Sequence, residues 1–301
     1  MSSAERAAQV LTQLESYDLR ILQAVELGMA RHEYVPFEEV AKISGLIDSE
    51  LEFRLGNLDR LDLIYRQRKP YLGYIINYTA YDCLALNALV KSGTLEALGL
   101  SVGIGKEADV YEALTPSKRR VAVKFHRLGR TSFRDTRRKR EYIADRRHIS
   151  WLYQSRLAAE NEFRALKVMH EAGVAVPEPI EQNRHIVAME FLEAVQLSEV
   201  TKLDEPVELL LDILENVRKA YAAGVIHTDL SEYNVMVNPE GRVWIIDWPQ
   251  YTASDHPNAK EIMARDVGNV AYYFQRKFGT EMTVEEAVAH VKAGLTRSGS
   301  S

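Results

Sequence analysis

Three polar residues in the last third of the chain have the types and spacing of a phosphoryl-transfer centre. Asp229 and Asn234 lie five positions apart, and Asp247 closes the apolar run 243–246, 13 residues after Asn234. In such a centre the first Asp faces the proton of the nucleophile, while the Asn and the last Asp hold magnesium against the phosphates. A plain β-hairpin is the alternative, because Asp and Asn are also common turn formers.

A lysine upstream lies inside an apolar strand pattern. Lys124 belongs to the run Arg-Val-Ala-Val-Lys-Phe at residues 120–125, and a lysine in such a strand is costly unless it is paired. The pattern matches the strand whose lysine grips nucleotide phosphates in kinases. We expect its carboxylate partner on a helix predicted over residues 155–172, with Glu162 as the first choice and Glu160 as the second.

A glycine turn precedes the lysine strand. Gly103 and Gly105 lie between strands predicted over residues 95–102 and 110–114. Glycines at a turn let backbone amides approach phosphates without obstruction by side chains. An ordinary hairpin turn is the alternative for this pair alone, since Ala108 stands where a kinase loop has its third glycine. The order of strand, glycine turn, strand and lysine is more specific than any single part.

A second apolar strand, predicted over residues 186–192, is expected to lead to a nucleotide hinge. Backbone N–H and C=O groups from Glu190 to Leu192 would read adenine there, and Met189 would line the pocket. A plain buried strand is the alternative. The amphipathic helix predicted over residues 205–223 then delivers the chain to the stretch that holds Asp229.

Two more helices are expected near the end of the chain. One is predicted over residues 259–278, after Pro257. Thr283 and Glu286 have the spacing of a capping box for a last helix, which is predicted to end at Lys292.

The first 80 residues predict a winged helix-turn-helix domain. Helices are expected over residues 4–14, 18–29, 36–41 and 50–61, with Asp48 as an N-cap, and a hairpin over residues 63–76. The wing tip carries Arg66, Arg68 and Lys69, which suit contact with nucleic-acid phosphates. The acidic residues of the last helix leave a structural or protein-docking wing as the alternative.

The most basic stretch lies between the lysine strand and the following helix. It is predicted to be a flexible insert over residues 127–149 that begins at Arg127. Binding RNA phosphates, covering ATP and carrying an autophosphorylation site compete as its use, and we favour RNA contact. The residues concerned are the cations Arg137, Arg138, Lys139 and Arg140 and the candidate phosphoacceptors Thr131 and Ser132.

Bulk composition fits a globular protein with two domains. The chain has 301 residues, 46% of them hydrophobic and 27% charged, with a net charge of −5; any nucleic-acid contact must therefore come from a local basic patch. The single cysteine, Cys83, excludes an intrachain disulfide framework and a cysteine-based zinc site, which predicts a cytoplasmic protein. No apolar run approaches the ~20 residues of a membrane span, so no membrane contact is expected. The oligomeric state is left open, with a monomer favoured.

Taken together, five motifs resemble those of the RIO family of atypical protein kinases, and the winged helix resembles that of its second subfamily. The motifs are Gly103-Ile-Gly-Lys-Glu-Ala-Asp-Val-Tyr, Lys124-Phe-His-Arg-Leu-Gly-Arg-Thr-Ser-Phe-Arg, Asn161-Glu-Phe-Arg-Ala-Leu, His227-Thr-Asp-Leu-Ser-Glu-Tyr-Asn and Ile246-Asp-Trp-Pro-Gln. The resemblance implies an α+β fold in which a winged helix precedes a small two-lobed kinase domain without an activation loop or the usual peptide-docking subdomains. The expected divisions are a winged helix (1–80), a linking helix (81–93), an N-lobe (94–192), a C-lobe (193–292) and a disordered tail (293–301).

The resemblance also implies roles for residues. ATP with Mg²⁺ or Mn²⁺ would be bound, with Lys124 on the phosphates and paired with Glu162. Asp229 would be the catalytic Asp, and Asn234 and Asp247 would ligate the metal. Asp247 is also implicated as the acceptor of a transient phosphoryl group, which suggests an ATPase switch. The phosphate loop would comprise Ser101, Gly103, Ile104, Gly105 and Lys106.

The partner implied by the resemblance is the precursor of the small ribosomal subunit and its RNA, in whose maturation the family acts. Two other functions compete. A small-molecule phosphotransferase of the aminoglycoside or choline kinase type also uses His-x-Asp-x4-Asn and Ile-Asp-Trp, although the winged domain and the basic insert oppose this assignment. An ATP-dependent, non-catalytic binding module on pre-ribosomes is the third function class.

Overall fold

The computed structural model describes residues 1–128 and 151–298, and the chain forms two compact units. Met1–Leu157 and Asn183–Ile186 make up the first unit, and Ala158–Gln182 and Val187–Ser301 the second. The mixture of helices and sheets confirms the predicted α+β class. Within the described ranges, no helix is both long and apolar enough to cross a membrane.

The first unit begins with the predicted winged-helix arrangement. Its elements are α1 (Ser3–Leu11), α2 (Ser16–Gly28), β1 (Val35–Pro36), α3 (Phe37–Ser44), α4 (Asp48–Arg60), β2 (Ile64–Gln67) and β3 (Gly73–Ile76). The strands form an antiparallel sheet in the order β1-β3-β2. Gly45 ends α3 at φ 63°, a left-handed conformation that glycine adopts at little cost. Asp48 was predicted as an N-cap, which is wrong: it lies in the first turn of α4, where a carboxylate favours the positive end of the helix dipole.

Helix α5 (Tyr78–Lys91) belongs to the core of the first unit. The side chain of Asn77 caps it by accepting a hydrogen bond from the Ala80 amide at 3.0 Å. Both faces are buried over most of its length, and the Cys83 thiol contacts the Ala7 carbonyl of α1 at 3.6 Å. A helix buried on all sides is a core element, so α5 is more than the linking helix that the sequence predicted.

Three antiparallel strands carry the predicted lysine and glycine turn. They are β4 (Ala97–Ile104), β5 (Ala108–Leu114) and β6 (Arg120–His126). The predicted end of β4 at residue 102 is wrong, because Gly103 and Ile104 still pair with β5. The turn is therefore confined to residues 105–107. Helix α6 (Trp151–Glu171) follows the undescribed segment.

The second unit contains most of the remaining elements. They are β7 (Pro179–Asn183), β8 (Ile186–Glu190), β9 (Val195–Gln196), a 3-10 turn (Leu197–Glu199), α7 (Pro206–Ala222), β10 (Val225–Ile226), β11 (Val235–Val237), β12 (Val243–Ile245), β13 (Thr252–Ala253), α8 (Ala259–Phe278) and α9 (Val284–Ser298). Strands β12, β11 and β9 form one small sheet, and β10 and β13 form another.

The last two helices of the second unit test the predicted helix bounds. Helix α8 has the predicted bounds, and Gly279 ends it at φ 68°. The predicted capping box of α9 is confirmed, since the Glu286 amide donates to the Thr283 hydroxyl at 3.2 Å and the Thr283 amide to the Glu286 carboxylate at 2.8 Å. The predicted helix end at Lys292 and disordered tail from residue 293 are wrong as far as Ser298, because one glycine, Gly294, is too weak a break to stop a helix.

Candidate active site

A short hairpin in the second unit brings two of the predicted site residues together. Strands β11 and β12 pair with Val235 opposite Ile245, and the Ile246 amide donates to the Asn234 carbonyl at 2.9 Å. Asn234 directly precedes β11, and Asp247 lies two residues after the end of β12. Both residues therefore lie at the same end of the hairpin. Asn234 is buried, whereas Asp247 is exposed. The predicted pairing of these residues at one site is thus consistent with the backbone.

The loop between Asp229 and Asn234 is held by its own hydrogen bonds. The Asn234 side-chain amide donates to the Asp229 carbonyl at 2.8 Å, and the Asn234 backbone amide donates to the Ser231 carbonyl at 3.0 Å. Asn269 on α8 donates to the Leu230 carbonyl at 3.2 Å. These bonds fix the backbone of Asp229 while its side chain stays exposed, as a group that must reach a substrate requires.

Asp266 is a functional candidate that sequence reasoning missed. Its carboxylate accepts a hydrogen bond from the Thr228 amide at 2.7 Å, and Arg265 donates to the Thr228 carbonyl. Thr228 has φ 75°, which is rare for a β-branched residue and marks local strain next to Asp229. The Thr228 hydroxyl adds a bond to the Gln250 carbonyl at 2.9 Å. Asp266 lies 38 positions from Thr228, so no local sequence signal connects them.

His227 is a neutral, structural member of the same loop. Its Nε2–H donates to the Ile246 carbonyl at 2.9 Å, which can only accept, and its Nδ1 accepts the Asp229 amide at 3.3 Å. Burial lowers the pKa of His227, and this effect outweighs the carbonyl and the nearby carboxylates. Burial also disfavours the charged form of Asp266, and for a carboxyl group this raises the pKa. The imidazole therefore joins the Asp229 loop to the strand end before Asp247.

Glu162 lies buried on α6, with 1% of its surface exposed, whereas Glu160 is only half-buried. Its Oε1 accepts a hydrogen bond from the Trp248 amide at 3.3 Å. Trp248 follows Asp247, which has φ 70°, and its indole donates to the Ile245 carbonyl at 3.0 Å. Glu162 thus orients the turn that presents Asp247, a role that the sequence did not indicate.

The first unit carries the phosphate-binding candidates. Lys124 lies on β6 opposite Val110 and is 8% exposed. Ser101, Gly103 and Ile104 lie on β4, Gly105 and Lys106 lie in the turn, and all five are exposed. The Gly105 amide donates to the Ala108 carbonyl at 2.8 Å, and a Cβ at Gly105 would stand 3.0 Å from that carbonyl oxygen. A larger residue at position 105 would therefore crowd this carbonyl, so the tight turn favours glycine.

The hinge candidates lie at the end of β8 in the second unit. Met189 is buried on this strand, and Leu192 follows it, half-buried. The Glu190 amide donates to the Glu178 carbonyl at 2.9 Å, and the Glu190 carboxylate accepts from the Glu178 amide at 3.2 Å. The Glu190 N–H is therefore already used, which corrects the expectation that it reads adenine. The Glu190 carbonyl and the backbone of Leu192 remain as candidates.

The structure describes only some of the basic residues that the sequence proposed for nucleic-acid contact or placed in the basic insert. In the wing, Arg68 and Lys69 are exposed, while Arg66 lies 3.6 Å from the Asp59 carboxylate. Arg127 was predicted to open the solvated insert, which is wrong: it is 1% exposed and paired with Asp82. The predicted residues outside the described ranges are Thr131, Ser132, Arg137, Arg138, Lys139 and Arg140.

The donor set at Asn234 and Asp247 fits a magnesium ion. Mg²⁺ prefers oxygen ligands and usually takes one or two side chains, with waters and substrate phosphates completing its shell. Asn234 uses its amide N–H on Asp229, and no hydrogen bond between described residues uses its Oδ1. The described residues also contain no group of three or more His, Cys, Asp or Glu that could hold a metal alone. This absence is compatible with a metal whose shell is completed by a nucleotide.

Comparison with known proteins agrees with this geometry. Residues 109–287 match the RIO domain, and residues 11–92 match the Rio2 N-terminal domain. The chain is 42% identical to the RIO-type serine/threonine-protein kinase Rio2 of Methanocaldococcus jannaschii over 82% of this chain and 92% of that protein. It is 36% identical to the serine/threonine-protein kinase rio2 of Schizosaccharomyces pombe over 88% of this chain and 77% of that protein.

A solved structure extends the likeness to the whole fold. The Rio2 kinase–ADP/Mg²⁺–phosphoaspartate complex from Chaetomium thermophilum has a TM-score of 0.82 and 32% sequence identity, and the match covers 98% of this chain and 94% of that one. With both domain matches in chain order and relatives this similar over most of their length, the chain belongs to the RIO family of atypical serine/threonine kinases, in its winged-helix-bearing second subfamily.

Proposed function

We propose that the protein is an ATP-dependent serine/threonine kinase and ATPase that acts in maturation of the small ribosomal subunit. The observation that carries the catalytic part is the hairpin end at which Asn234 and Asp247 lie next to the braced Asp229 loop. The names of the relatives support kinase chemistry. The ribosomal role rests on the resemblance, and a precursor of the small subunit and its RNA is the proposed partner.

In this mechanism the residues of the chain have distinct tasks. Lys124 binds the α- and β-phosphates of ATP and pairs with Glu162, while the turn from Ser101 to Lys106 approaches the phosphates through backbone amides. Asn234 and Asp247 hold Mg²⁺, which neutralises charge on the phosphates when it is bound. Asp229 accepts the proton of a hydroxyl acceptor or of water.

Asp247 is proposed to receive a phosphoryl group in the ATPase cycle. One carboxylate oxygen forms a bond to the γ-phosphorus as the bond between that phosphorus and the β,γ-bridging oxygen breaks, and ADP leaves. Water then hydrolyses the acyl phosphate, which releases inorganic phosphate and restores the carboxylate. The structure of the Chaetomium thermophilum relative, which is described as a phosphoaspartate complex, favours this step. Asp247 lies at an exposed position.

The wing is the part of the described surface proposed to meet RNA. Arg68 and Lys69 are exposed there. Helix α4 is a poorer candidate, because Arg54 is paired with Glu15, Asp18 and Glu50 and so has little charge left for a phosphate.

The decisive experiment measures turnover of γ-labelled ATP with and without small ribosomal subunits, and measures the phosphate that stays on the acid-quenched protein and is released by hydroxylamine, as an acyl phosphate is. We expect turnover to rise with subunits, and the hydroxylamine-sensitive phosphate to vanish in Asp247→Asn but persist in Asp255→Asn, an exposed carboxylate of the same unit. Turnover that ignores subunits and passes phosphate to a small amine or alcohol would instead favour a small-molecule phosphotransferase.

A further inference from the structure

The strand that carries Lys124 ends in a buried charge cluster. Arg127 directly follows β6 and forms two hydrogen bonds with the Asp82 carboxylate of α5, at 2.7 and 2.8 Å. Its Nε lies 3.4 Å from the Asp109 carboxylate of β5, and its Nη1 lies 3.0 Å from Nε2 of His185. All four residues are at most 1% exposed, and all belong to the first unit.

Hydrogen bonding fixes the protonation of this cluster. Nε2 of His185 lies 2.7 Å from the Asp82 carboxylate, which can only accept, so Nε2 carries the proton. Burial lowers the pKa of His185 to about 4, while Arg127 and His185 together lower the pKa of Asp82 against the opposing effect of burial. At neutral pH a neutral imidazole and an ionised Asp82 therefore both contact the guanidinium.

Aromatic rings complete the surroundings of Arg127. The guanidinium carbon lies 5.4 Å from the ring centre of Tyr78 and 5.1 Å from that of Phe125, and Tyr81 stacks on His185 at 4.5 Å. Arg is suited to such a site because its planar fork makes two parallel bonds and stacks on rings, whereas the single ammonium of Lys cannot reproduce this.

The cluster also fixes backbone on both sides of the lysine strand. The Arg127 amide donates to the carbonyl of Glu107, next to the glycine turn, at 2.6 Å, and the His126 amide donates to the His185 carbonyl at 2.9 Å. The Tyr78 hydroxyl donates to the Leu128 carbonyl at 3.0 Å. Arg127 is three residues, about 10 Å of strand, from Lys124.

We propose that Arg127 is a positioning residue for nucleotide binding, which anchors the Lys124 strand and the glycine turn to helix α5 of the N-terminal domain. A buried ion pair is weak support for a purely stabilising role, since apolar residues often stabilise as well. The contacts of Arg127 instead converge on the two backbone segments proposed to hold phosphates. This inference rests on the proposed role of Lys124.

The test compares Arg127→Lys with a matched control, Arg184→Lys. Arg184 also makes two bonds with one carboxylate in the first unit, that of Glu26 on α2, at 2.8 and 2.7 Å. Binding of Mg²⁺-ADP is measured by calorimetry at a temperature at which circular dichroism shows each variant folded. We expect Arg127→Lys to weaken binding at least tenfold and Arg184→Lys less than twofold.

A double-mutant cycle with Lys124→Met distinguishes positioning from general damage. If Arg127 acts through Lys124 and the glycine turn, Arg127→Lys costs less affinity once Lys124 is absent, whereas independent damage adds in full. Fully additive losses, or an Arg127→Lys protein that binds within twofold of the wild type, overturn the inference. If Arg127→Lys does not fold, the test uses Tyr78→Phe, which loses only the hydroxyl bond to Leu128. We then expect the affinity for Mg²⁺-ADP to fall about threefold, and unchanged binding would overturn the inference.

The same cycle separates this inference from the proposed function. Wild-type binding by Lys124→Met would refute the assigned role of Lys124 and the inference with it. Weak binding by Lys124→Met together with normal binding by Arg127→Lys would leave the proposed function intact and overturn the inference alone.

Discussion

Replacing Asp266 tests whether the Asp229 loop owes its conformation to this carboxylate. Asp266→Ala removes the 2.7 Å bond from the Thr228 amide, which is a hydrogen bond to a charged group. Such bonds contribute about 1.5–3 kcal/mol, and the bonds of Thr228 with Arg265 and Gln250 remain in this variant. A loss of about 1.5–3 kcal/mol in the loop conformation corresponds to a ~10- to 160-fold fall in kcat.

Replacing Asp266 should affect the free energy of unfolding differently from kcat. Burial raises the pKa of Asp266 because it outweighs the favourable hydrogen bonds, so the ionised carboxylate costs folding free energy at neutral pH. Asp266→Asn removes that charge and retains an acceptor for Thr228. We therefore expect Asp266→Asn to keep the melting temperature within a few degrees of the wild type. Its kcat should be higher than that of Asp266→Ala and lower than that of the wild type.

The assay is the initial rate of ATP hydrolysis at saturating ATP, with melting followed in parallel. Glu261→Gln is the matched control, an exposed carboxylate in the first turn of the same helix, and should leave kcat unchanged. A folded Asp266→Ala protein whose kcat stays within twofold of the wild type would refute the reasoning, because the strained loop would then hold its shape without Asp266.

Two further predictions concern stability. The folded pKa of His185, about 4, lies below its ordinary value of 6.5; stability is therefore complete above pH 6.5 and falls by up to ~1.4 kcal/mol per pH unit between pH 6.5 and 4. Urea denaturation across this range should give a steeper profile for the wild type than for His185→Gln, and equal slopes would contradict the assignment. Gly279→Ala should destabilise by about 1 kcal/mol because Gly279 has φ 68°, whereas Gly56→Ala, inside α4 with open space around it, should stabilise by up to ~1 kcal/mol; thermal melts with shifts of the same sign would count against this.

Local chemistry explains which elements could be predicted from the sequence. Helix α8 was predicted with its observed bounds after a stretch that ends at Pro257, and the capping box formed by Thr283 and Glu286 marked the start of α9. Strand β7 was not predicted. It begins at Pro179, and a proline at the first strand position is allowed although proline usually signals a break.

In the candidate site, the residues that lie close together in the sequence could be predicted, whereas the residues that brace them from distant positions could not. Asp229, Asn234 and Asp247 belong to one short run of chain, and their spacing predicted that they share one site; the fold places Asn234 and Asp247 at the same end of the hairpin formed by β11 and β12. Glu162 could be preferred over Glu160 only by its apolar neighbours, and its bond to Trp248 spans 86 positions. The roles of the bracing residues could not be predicted, because a helical Asp or Glu looks the same in sequence whether it is solvated or buried.

Arg127 shows why charge alone misleads. In the sequence it heads a basic run, and a basic run normally stays in water. The fold buries it because Asp82, 45 positions earlier, supplies a carboxylate on the inner face of α5, and because Tyr78 and Phe125 supply ring faces. A buried arginine without that carboxylate would be too costly to keep. The ion pair of Arg127 with Asp82 therefore links the end of the lysine strand to the last helix of the N-terminal domain. A substitution of either residue should change the position of the other.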